Sequence, residues 1–369
     1  MSWNDTLGNM KTLDAWRASV GLTYNAEKIG FPTPTLTQRS LRVRPGSTMK
    51  YGRLPGIEKP VSRLVMGAML SGTWFPNPHG HVLFDDFFER GGNCFDTAYQ
   101  YLHGDSEKIL GHWVKNRGVR DDIVILGKGA HTPFCDPENL TKQLMGSLER
   151  LQTDYLDVYM MHRDNPAIPA GEFIDVLNEH RRKGRIRLFG GSNWSIARVE
   201  AANAYAKRNG LTGFSAVSNN FSLACMVDPI WPGCVHSSDS KSRDWFTRTQ
   251  LALFAWSSQA RGFFVVGDPK NRTDAQLVRC CYSEENLRRL ERARQLAKKR
   301  GKLPNHIALA YVLSQPFPTF ALIGPQTLQE THTSWPALEI ELTAEEVSWL
   351  NLEPITMKQR RSEMSMASP

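Results

Sequence analysis

Four residues of unlike chemistry, Asp96, Tyr101, Lys128 and His162, stand just past the ends of three apolar runs. Asn93-Cys94-Phe95 leads into Asp96 and, five residues on, Tyr101; Ile123 to Leu126 leads into Gly127-Lys128-Gly129; Leu156 to Met161 leads into His162-Arg163-Asp164. Each run reads as a buried strand. In a parallel barrel the carboxyl ends of the strands converge on one face, where polar groups tend to be catalytic. Together the four make an acid–base device. A phenol has a pKa near ~10 in water, too high for an ideal proton donor and acceptor at neutral pH. An ammonium about 4 Å away favours phenolate by on the order of 4 kcal/mol at an effective dielectric of ~20, with desolvation opposing it. Lys128 can therefore tune Tyr101, Asp96 can hold Lys128 charged and oriented, and His162 adds a second hydrogen-bond donor. Each also has a plainer reading: a strand-end Asp caps, and a loop Tyr packs. Lys128 is harder to dismiss, because an ammonium after Ile-Val-Ile-Leu is expensive to bury without a partner.

The elements that must position these groups alternate. Strands are expected at Arg63 to Met69, Asn93 to Thr97, Ile123 to Leu126, Tyr155 to Met161, Ile186 to Gly190, Phe214 to Ser218, Leu251 to Ala255 and Phe320 to Ile323. Helices fall between them at Val82 to Arg90, Glu107 to Arg117, Pro137 to Leu151, Gly171 to Lys183, Ile196 to Asn209, Glu284 to Arg300 and Asn305 to Leu313. Asp136-Pro137 supplies a cap and a first-turn proline, and Gly210 a stop. Eight β units with no Gly-x-Gly-x-x-Gly turn after the first strand argue for an α/β fold of the closed (β/α)8 TIM barrel type, a single domain, over a doubly wound sheet. The expected organisation is an N-terminal extension over 1–48, a barrel over 49–355 opening on a hairpin near Met49 to Gly56, and a disordered tail over 356–369. The extension has weak periodicity, so a chain starting near Met49 is expected to fold. Ser222 to Gln250 breaks the rhythm and is expected to be an expanded rim loop with helix near its end.

Composition narrows the class. With 41% apolar and 22% charged residues the chain is globular rather than disordered. The net charge of +8 raises nucleic acid as a partner, but the basic residues are dispersed among 37 acids. Clusters such as His180-Arg181-Arg182-Lys183 and Lys298-Lys299-Arg300 fall late in helices, where cations complement the dipole. No nucleic-acid partner is expected. Six cysteines without a Cys-x-x-Cys pair read as reduced thiols of a cytoplasmic enzyme. Cys225, Cys234 and His236 lack the paired spacing of a structural zinc site, so no metal is expected. No window approaches the ~18 apolar residues of a membrane span, and the first residues carry no secretory pattern.

Phe95-Asp96-Thr97-Ala98 with Tyr101, the strand Lys128, and Asp154-Tyr155-Leu156-Asp157-Val158-Tyr159-Met160-Met161-His162-Arg163 resemble the aldo-keto reductases. Gly190-Gly191-Ser192-Asn193-Trp194, Phe254 to Phe263 and Ile323-Gly324-Pro325 follow in the family's order, over roughly Tyr51 to Leu352. The resemblance implies an NAD(P)H-dependent carbonyl reductase or alcohol dehydrogenase, moving hydride to or from an aldehyde or ketone. Tyr101 is then the general acid, tuned by Lys128 and Asp96 and assisted by His162.

The same resemblance assigns Ser192 and Asn193 to the nicotinamide carboxamide and Trp256 to the face of its ring. Ser257, Gln259 and Arg261 are assigned to the phosphates, with Met69, Asp96, Ser218, Gly324 and Gln326 completing the cofactor set. The chain departs from the family at Ser218, where glutamine is usual. It departs again at Gln326, where a basic residue often meets the adenosine phosphate, and at Thr333-Ser334, where Glu-Asn is expected. NADP(H) is favoured and NAD(H) stays open, with Lys270 and Arg272 as substitute cations. Trp74, His131, Arg163 and Trp231, with His236 and Ser238, mix hydrogen bonding with flat apolar faces. That mixture suits a small carbonyl or polyol such as a sugar or glycoside; plain loop packing is the alternative for the two tryptophans. Homo-oligomerisation stays open. Two rival functions remain at this level: an epimerase-type internal redox reaction with retained cofactor, and a non-catalytic cofactor-sensing barrel subunit.

Overall fold

The structure, a computed structural model, describes residues 2–35, 37–69 and 76–353. Trp74 and the expected tail over 356–369 lie outside the described residues. A short antiparallel hairpin, β1 (Tyr51–Gly52) and β2 (Val61–Ser62), leads into eight parallel strands. These are β3 (Leu64–Gly67), β4 (Cys94–Asp96), β5 (Val124–Gly129), β6 (Leu156–Met161), β7 (Ile186–Ser192), β8 (Ala216–Ser218), β9 (Ala252–Ala255) and β10 (Thr319–Ile323). They pair in chain order and β10 returns to β3, closing the barrel. Each expected strand is one of these eight, within a few residues at its ends.

Period-two alternation sorts the strand side chains. One set, Val65, Cys94, Val124, Leu126, Val158, Met160, Leu188, Ala216, Ala252, Phe254, Phe320 and Leu322, forms a cluster of its own inside the barrel, joined by Leu54 and Ile57 from the hairpin loop. The other set, including Phe95, Ile125, Tyr159 and Phe189, packs with the surrounding helices in the larger cluster. At β7 a close approach demands glycine: a Cβ on Gly190 would lie 2.0 Å from the Ala216 carbonyl oxygen.

Helices cover the strands in turn: α1 (Trp3–Ser19) precedes the barrel, and α2 (Pro76–Glu89), α3 (Asp105–Arg117), α4 (Pro137–Leu151), α5 (Ala170–Arg182) and α6 (Ile196–Arg208) follow β3 to β7. Asp136 caps α4 through the Asn139 amide at 2.8 Å, with Pro137 in the first turn, as its sequence requires. The expanded loop after β8 ends in α7 (Ser240–Thr249). Three features differ from expectation. α2 starts at Pro76 rather than Val82, because Pro-Asn-Pro-His-Gly carries no apolar period to announce a helix. Two short helices, α8 (Phe263–Val266) and α9 (Ala275–Cys281), follow β9, each too brief for a 3.6-residue pattern to register. The leading segment contains a regular helix, although α1 buries none of its residues. Beyond it, Ile29 and Leu41 pack on the core, the Arg44 amide donates to the Glu89 carbonyl at 2.7 Å, and Arg117 donates to the Thr33 carbonyl. The remaining helices are α10 (Glu284–Arg300), α11 (Pro304–Leu313), α12 (Leu328–Ser334) and α13 (Ala344–Leu350). Among the described residues no helix is long and apolar enough to cross a membrane.

Candidate active site

The inner lanes of the barrel end in the chemistry. Cys94 is followed two residues on by Asp96; Val124 and Leu126 by Lys128; Val158 and Met160 by His162. The same step carries Leu188 through Gly190 to Ser192, Ala216 to Ser218, and Ala252 and Phe254 to Trp256. Alternation therefore delivers three acid–base groups and three cofactor candidates to one end of one barrel.

Lys128 forms a buried ion pair with Asp96, and its Nζ lies 5.0 Å from the centre of the Tyr101 ring. The Tyr101 and His162 rings meet edge to face at 5.5 Å, and His131 meets His162 the same way at 5.0 Å. Burial pulls the Lys128 ammonium down, yet Asp96 and Tyr101 carry it above the ordinary lysine value. Tyr101 departs from the sequence expectation. Burial pushes the phenol up, and the Lys128 charge pulls it back only in part, so it lies above the usual tyrosine value. Burial, with the charges of Lys128, Arg163 and His131, keeps His162 well below the usual imidazole value, so the ring is neutral. Its Nδ1 is sealed with no partner. The neutral tautomer therefore carries its proton best on Nε2.

Tyr101 lies on a one-turn 3₁₀ helix, Tyr101–Gly104, in which Leu102 and His103 are left-handed at φ 49° and 55°. Such residues persist only where the surroundings hold them. Arg150 of α4 does so: its Nη1 donates to the Tyr99 carbonyl at 2.7 Å and to buried Glu107 at 3.2 Å. A Cβ on Gly104, itself at φ 97°, would lie 2.6 Å from the Arg150 guanidinium carbon. Neither Arg150 nor Glu107 is legible as a support in the sequence, where Arg150 reads as an ordinary cation in a last helical turn.

The cofactor candidates divide by place. Ser192 and Ser218 are register partners on β7 and β8, and the buried Ser218 Oγ has no protein partner, as a ligand-facing hydroxyl should. Asn193, at φ 59°, donates to Ser192 Oγ at 3.2 Å and accepts from the Val235 amide at 3.1 Å. Beyond Trp256, the residues Ser257, Ala260, Arg261 and Gly262 all have positive φ, a conformation that turns successive amides toward an anion. Gln259 donates to Ser334 at 3.1 Å and Arg261 to Gln276 at 2.6 Å. These residues fit the amide and diphosphate of a dinucleotide. The turn after β10 is different. Gly324 is followed by Gln326 and Thr327, whose amides donate to the Glu330 carboxylate at 2.6 and 3.3 Å, so an acid already fills this turn. Met69 follows β3 and is 40% exposed; Lys270 and Arg272 are exposed.

Of the proposed substrate residues, His131 is half-buried against His162, its Nδ1 donating to the Thr132 carbonyl at 2.7 Å. Arg163 is buried beside His162, Trp231 is 43% exposed on the loop after β8, and Ser238 is tied to Ser222. His236 lies on that loop with a buried, unpartnered Nδ1.

The sequence profile of the aldo/keto reductase family matches residues 63–351. The chain belongs to the aldo/keto reductase family. It is 28% identical over 322 residues to the uncharacterized oxidoreductase YrpG of Bacillus subtilis, covering 82% of this chain and 95% of that one. It is 29% identical over 310 residues to norsolorinic acid reductase of Aspergillus flavus, covering 78% and 76%. Among solved structures it superposes on the thermostable aldo-keto reductase Tm1743, crystallised with the inhibitor epalrestat, at a TM-score of 0.65, 22% identity and 82% and 99% coverage. An aldo-keto reductase from Klebsiella pneumoniae in complex with NADPH gives 0.63, 21%, and 84% and 97%. This aldo/keto reductase is accordingly an NAD(P)H-dependent oxidoreductase acting in carbonyl reduction, in a family that uses NADP(H).

Proposed function

We propose that this aldo/keto reductase reduces an aldehyde or ketone reversibly, with Tyr101 delivering the proton to the carbonyl oxygen. The observation that carries the reading is the buried Lys128–Asp96 pair set 5.0 Å from the Tyr101 ring. A bound nicotinamide supplies or accepts hydride at the carbon. Tyr101, its pKa raised by burial, meets the substrate as the protonated phenol, the form that reduction consumes. As the proton leaves, negative charge grows on the phenol oxygen, and the ammonium of Lys128 stabilises it without reorganisation. Asp96 keeps that ammonium charged and aimed. Neutral His162 donates from Nε2 to the same carbonyl oxygen, fixing its position and sharing the developing charge.

Ser192, Asn193 and Ser218 hold the carboxamide, Trp256 lies against the ring, and the turn over Ser257, Gln259 and Arg261 takes the diphosphate. NADP(H) is the favoured cofactor, in line with the family and with the NADPH held by the Klebsiella protein. The substrate is a small carbonyl or polyol of sugar or glycoside type, seated between His131, Arg163 and Trp231. A panel of carbonyls and sugars assayed with NADPH and NADH separately tests the reading. Tight cofactor binding with no carbonyl turned over across the panel would overturn it.

A further inference from the structure

Arg163 follows His162 directly, and the chain gives its charge no counter-ion. The side chain is 6% exposed. Its Nη1 donates to the His162 carbonyl at 3.0 Å, its Nη2 reaches only the Cys234 sulfur at 3.5 Å, and its buried Nε has no partner. The nearby carboxylates are committed elsewhere. Asp164 is held by Arg198 through two bonds of 2.8 Å, and Asp96 by Lys128. Burial raises the Cys234 thiol, so it stays protonated and offers no charge. Among the described residues Arg289 is the other arginine buried to this degree, and it pairs with Glu285 at 3.4 Å.

A guanidinium cannot relieve such burial by losing its proton, and an uncompensated buried charge is destabilising. Sites that keep one gain by receiving an anion, which a planar guanidinium binds with parallel N–H donors. The place is also right. The field of Arg163 is felt by Tyr101, His131 and His162, and a Cβ on Gly233 would lie 3.7 Å from its Cδ and Nε. Arg163 thus sits between the catalytic imidazole and the rim segment that carries Trp231 and Cys234.

We propose that Arg163 docks an anionic oxygen of the substrate, so that the carbonyl compound reduced here carries a carboxylate or phosphate close to the reacting carbon. This rests on the carbonyl-reduction reading above and narrows its substrate class to acidic carbonyl compounds. The anion completes the half-filled donor set of Arg163 while the carbonyl oxygen meets Tyr101 and His162. A neutral substrate of the same shape leaves the guanidinium unpaired.

The test compares matched pairs with the full-length enzyme and NADPH in phosphate-free buffer at constant ionic strength. One pair is benzaldehyde and 4-carboxybenzaldehyde, and the other is glyceraldehyde and glyceraldehyde 3-phosphate, so that carboxylate and phosphate are separated. In the wild type the charged member of at least one pair should have a kcat/KM higher by about tenfold or more, carried mainly by KM. In Arg163→Met and Arg163→Gln that ratio should collapse toward one. A second readout needs no turnover. Benzoate or inorganic phosphate should raise the melting temperature of the wild type and leave Arg163→Met unmoved, and Arg163→Met without anions should melt above the wild type without anions. A wild-type ratio near one in both pairs, with no anion-dependent rise in melting, overturns the proposal without any variant and leaves carbonyl reduction standing. If no aldehyde of any charge is reduced, the carbonyl reading fails, while the melting comparison still decides whether Arg163 binds an anion.

Discussion

The Arg150 guanidinium lies 4.0 Å from the centre of the Tyr99 ring and donates to the Tyr99 carbonyl at 2.7 Å. Through that one residue, α4 grips the loop on which Tyr101 is mounted two positions later. Arg150 touches none of the reacting groups, so it is a positioning residue. Arg150→Ala should lower kcat by roughly 10-fold or more, the scale on which small misplacement acts, with the Kd for NADPH preserved. Arg150→Lys keeps a donor but loses the flat stacking face, and it should recover part of kcat. Equal loss of cofactor affinity and kcat in Arg150→Ala would point to general unfolding of this side of the barrel instead.

Tyr101→Phe removes one hydroxyl and little volume. General acid catalysis is worth roughly 10²- to 10⁴-fold, so turnover should fall by that range while bound NADPH remains measurable by fluorescence. Lys128→Met should act alike, and the double variant should lose little more than either single one, because both changes act on one proton. His162→Ala should be milder. Near wild-type turnover in Tyr101→Phe sinks the assignment of the acid.

Gln326→Arg would ordinarily strengthen NADPH binding by ~1.5 to 3 kcal/mol through a charged hydrogen bond. The Glu330 carboxylate already receives the Gln326 amide at 2.6 Å, so a new guanidinium there would pair with the acid first. The single substitution should therefore shift the NADPH Kd little, and Gln326→Arg with Glu330→Gln should show the full gain for NADPH but not for NADH. Titration of both cofactors checks this, and an unmoved NADPH Kd in the double variant places this turn away from the adenosine phosphate.

His81 of α2 stacks on His112 of α3 at 5.2 Å, and neither of its ring nitrogens has a partner. Burial, with the charges of Arg117 and His112, lowers its pKa to about 3 from an ordinary 6.5. A depressed histidine contributes stability above its unfolded pKa that is lost as pH falls, since the unfolded chain takes up a proton the folded one refuses. Between these two values the loss should approach about 1.4 kcal/mol per pH unit from this group. His81→Phe should flatten the fall in melting temperature between pH 6.5 and pH 4.5. An unchanged slope would assign the acid sensitivity to other groups.

Truncation should separate the two parts of the leading segment. A chain starting at Gly21 loses only a helix that buries nothing, and its melting temperature should hold. A chain starting at Met49 also loses Ile29, Leu41, the Thr33 carbonyl that satisfies Arg117 and the Arg44–Glu89 pair. It should fold and bind NADPH but melt several degrees lower. Identical melting of both would show that residues 25–48 add no stability.

The residues at the rim were legible from the sequence because their placement obeys a local rule. Alternation along a strand is a property of neighbouring residues, so Asp96, Lys128 and His162 follow from Cys94, Leu126 and Met160 without knowledge of any other strand. Eight such strands separated by helical patterns leave few architectures, and the motifs in order pointed to the family. What the tertiary structure alone decided are relations between residues far apart in the chain. Arg150 finds Tyr99 across 51 positions, and Arg198 captures Asp164 across 34, which leaves Arg163 without a counter-charge. The direction of the Tyr101 shift belongs here too. Sequence shows that a lysine can face the phenol, but burial and attraction oppose each other, and only the packed site reveals that burial prevails.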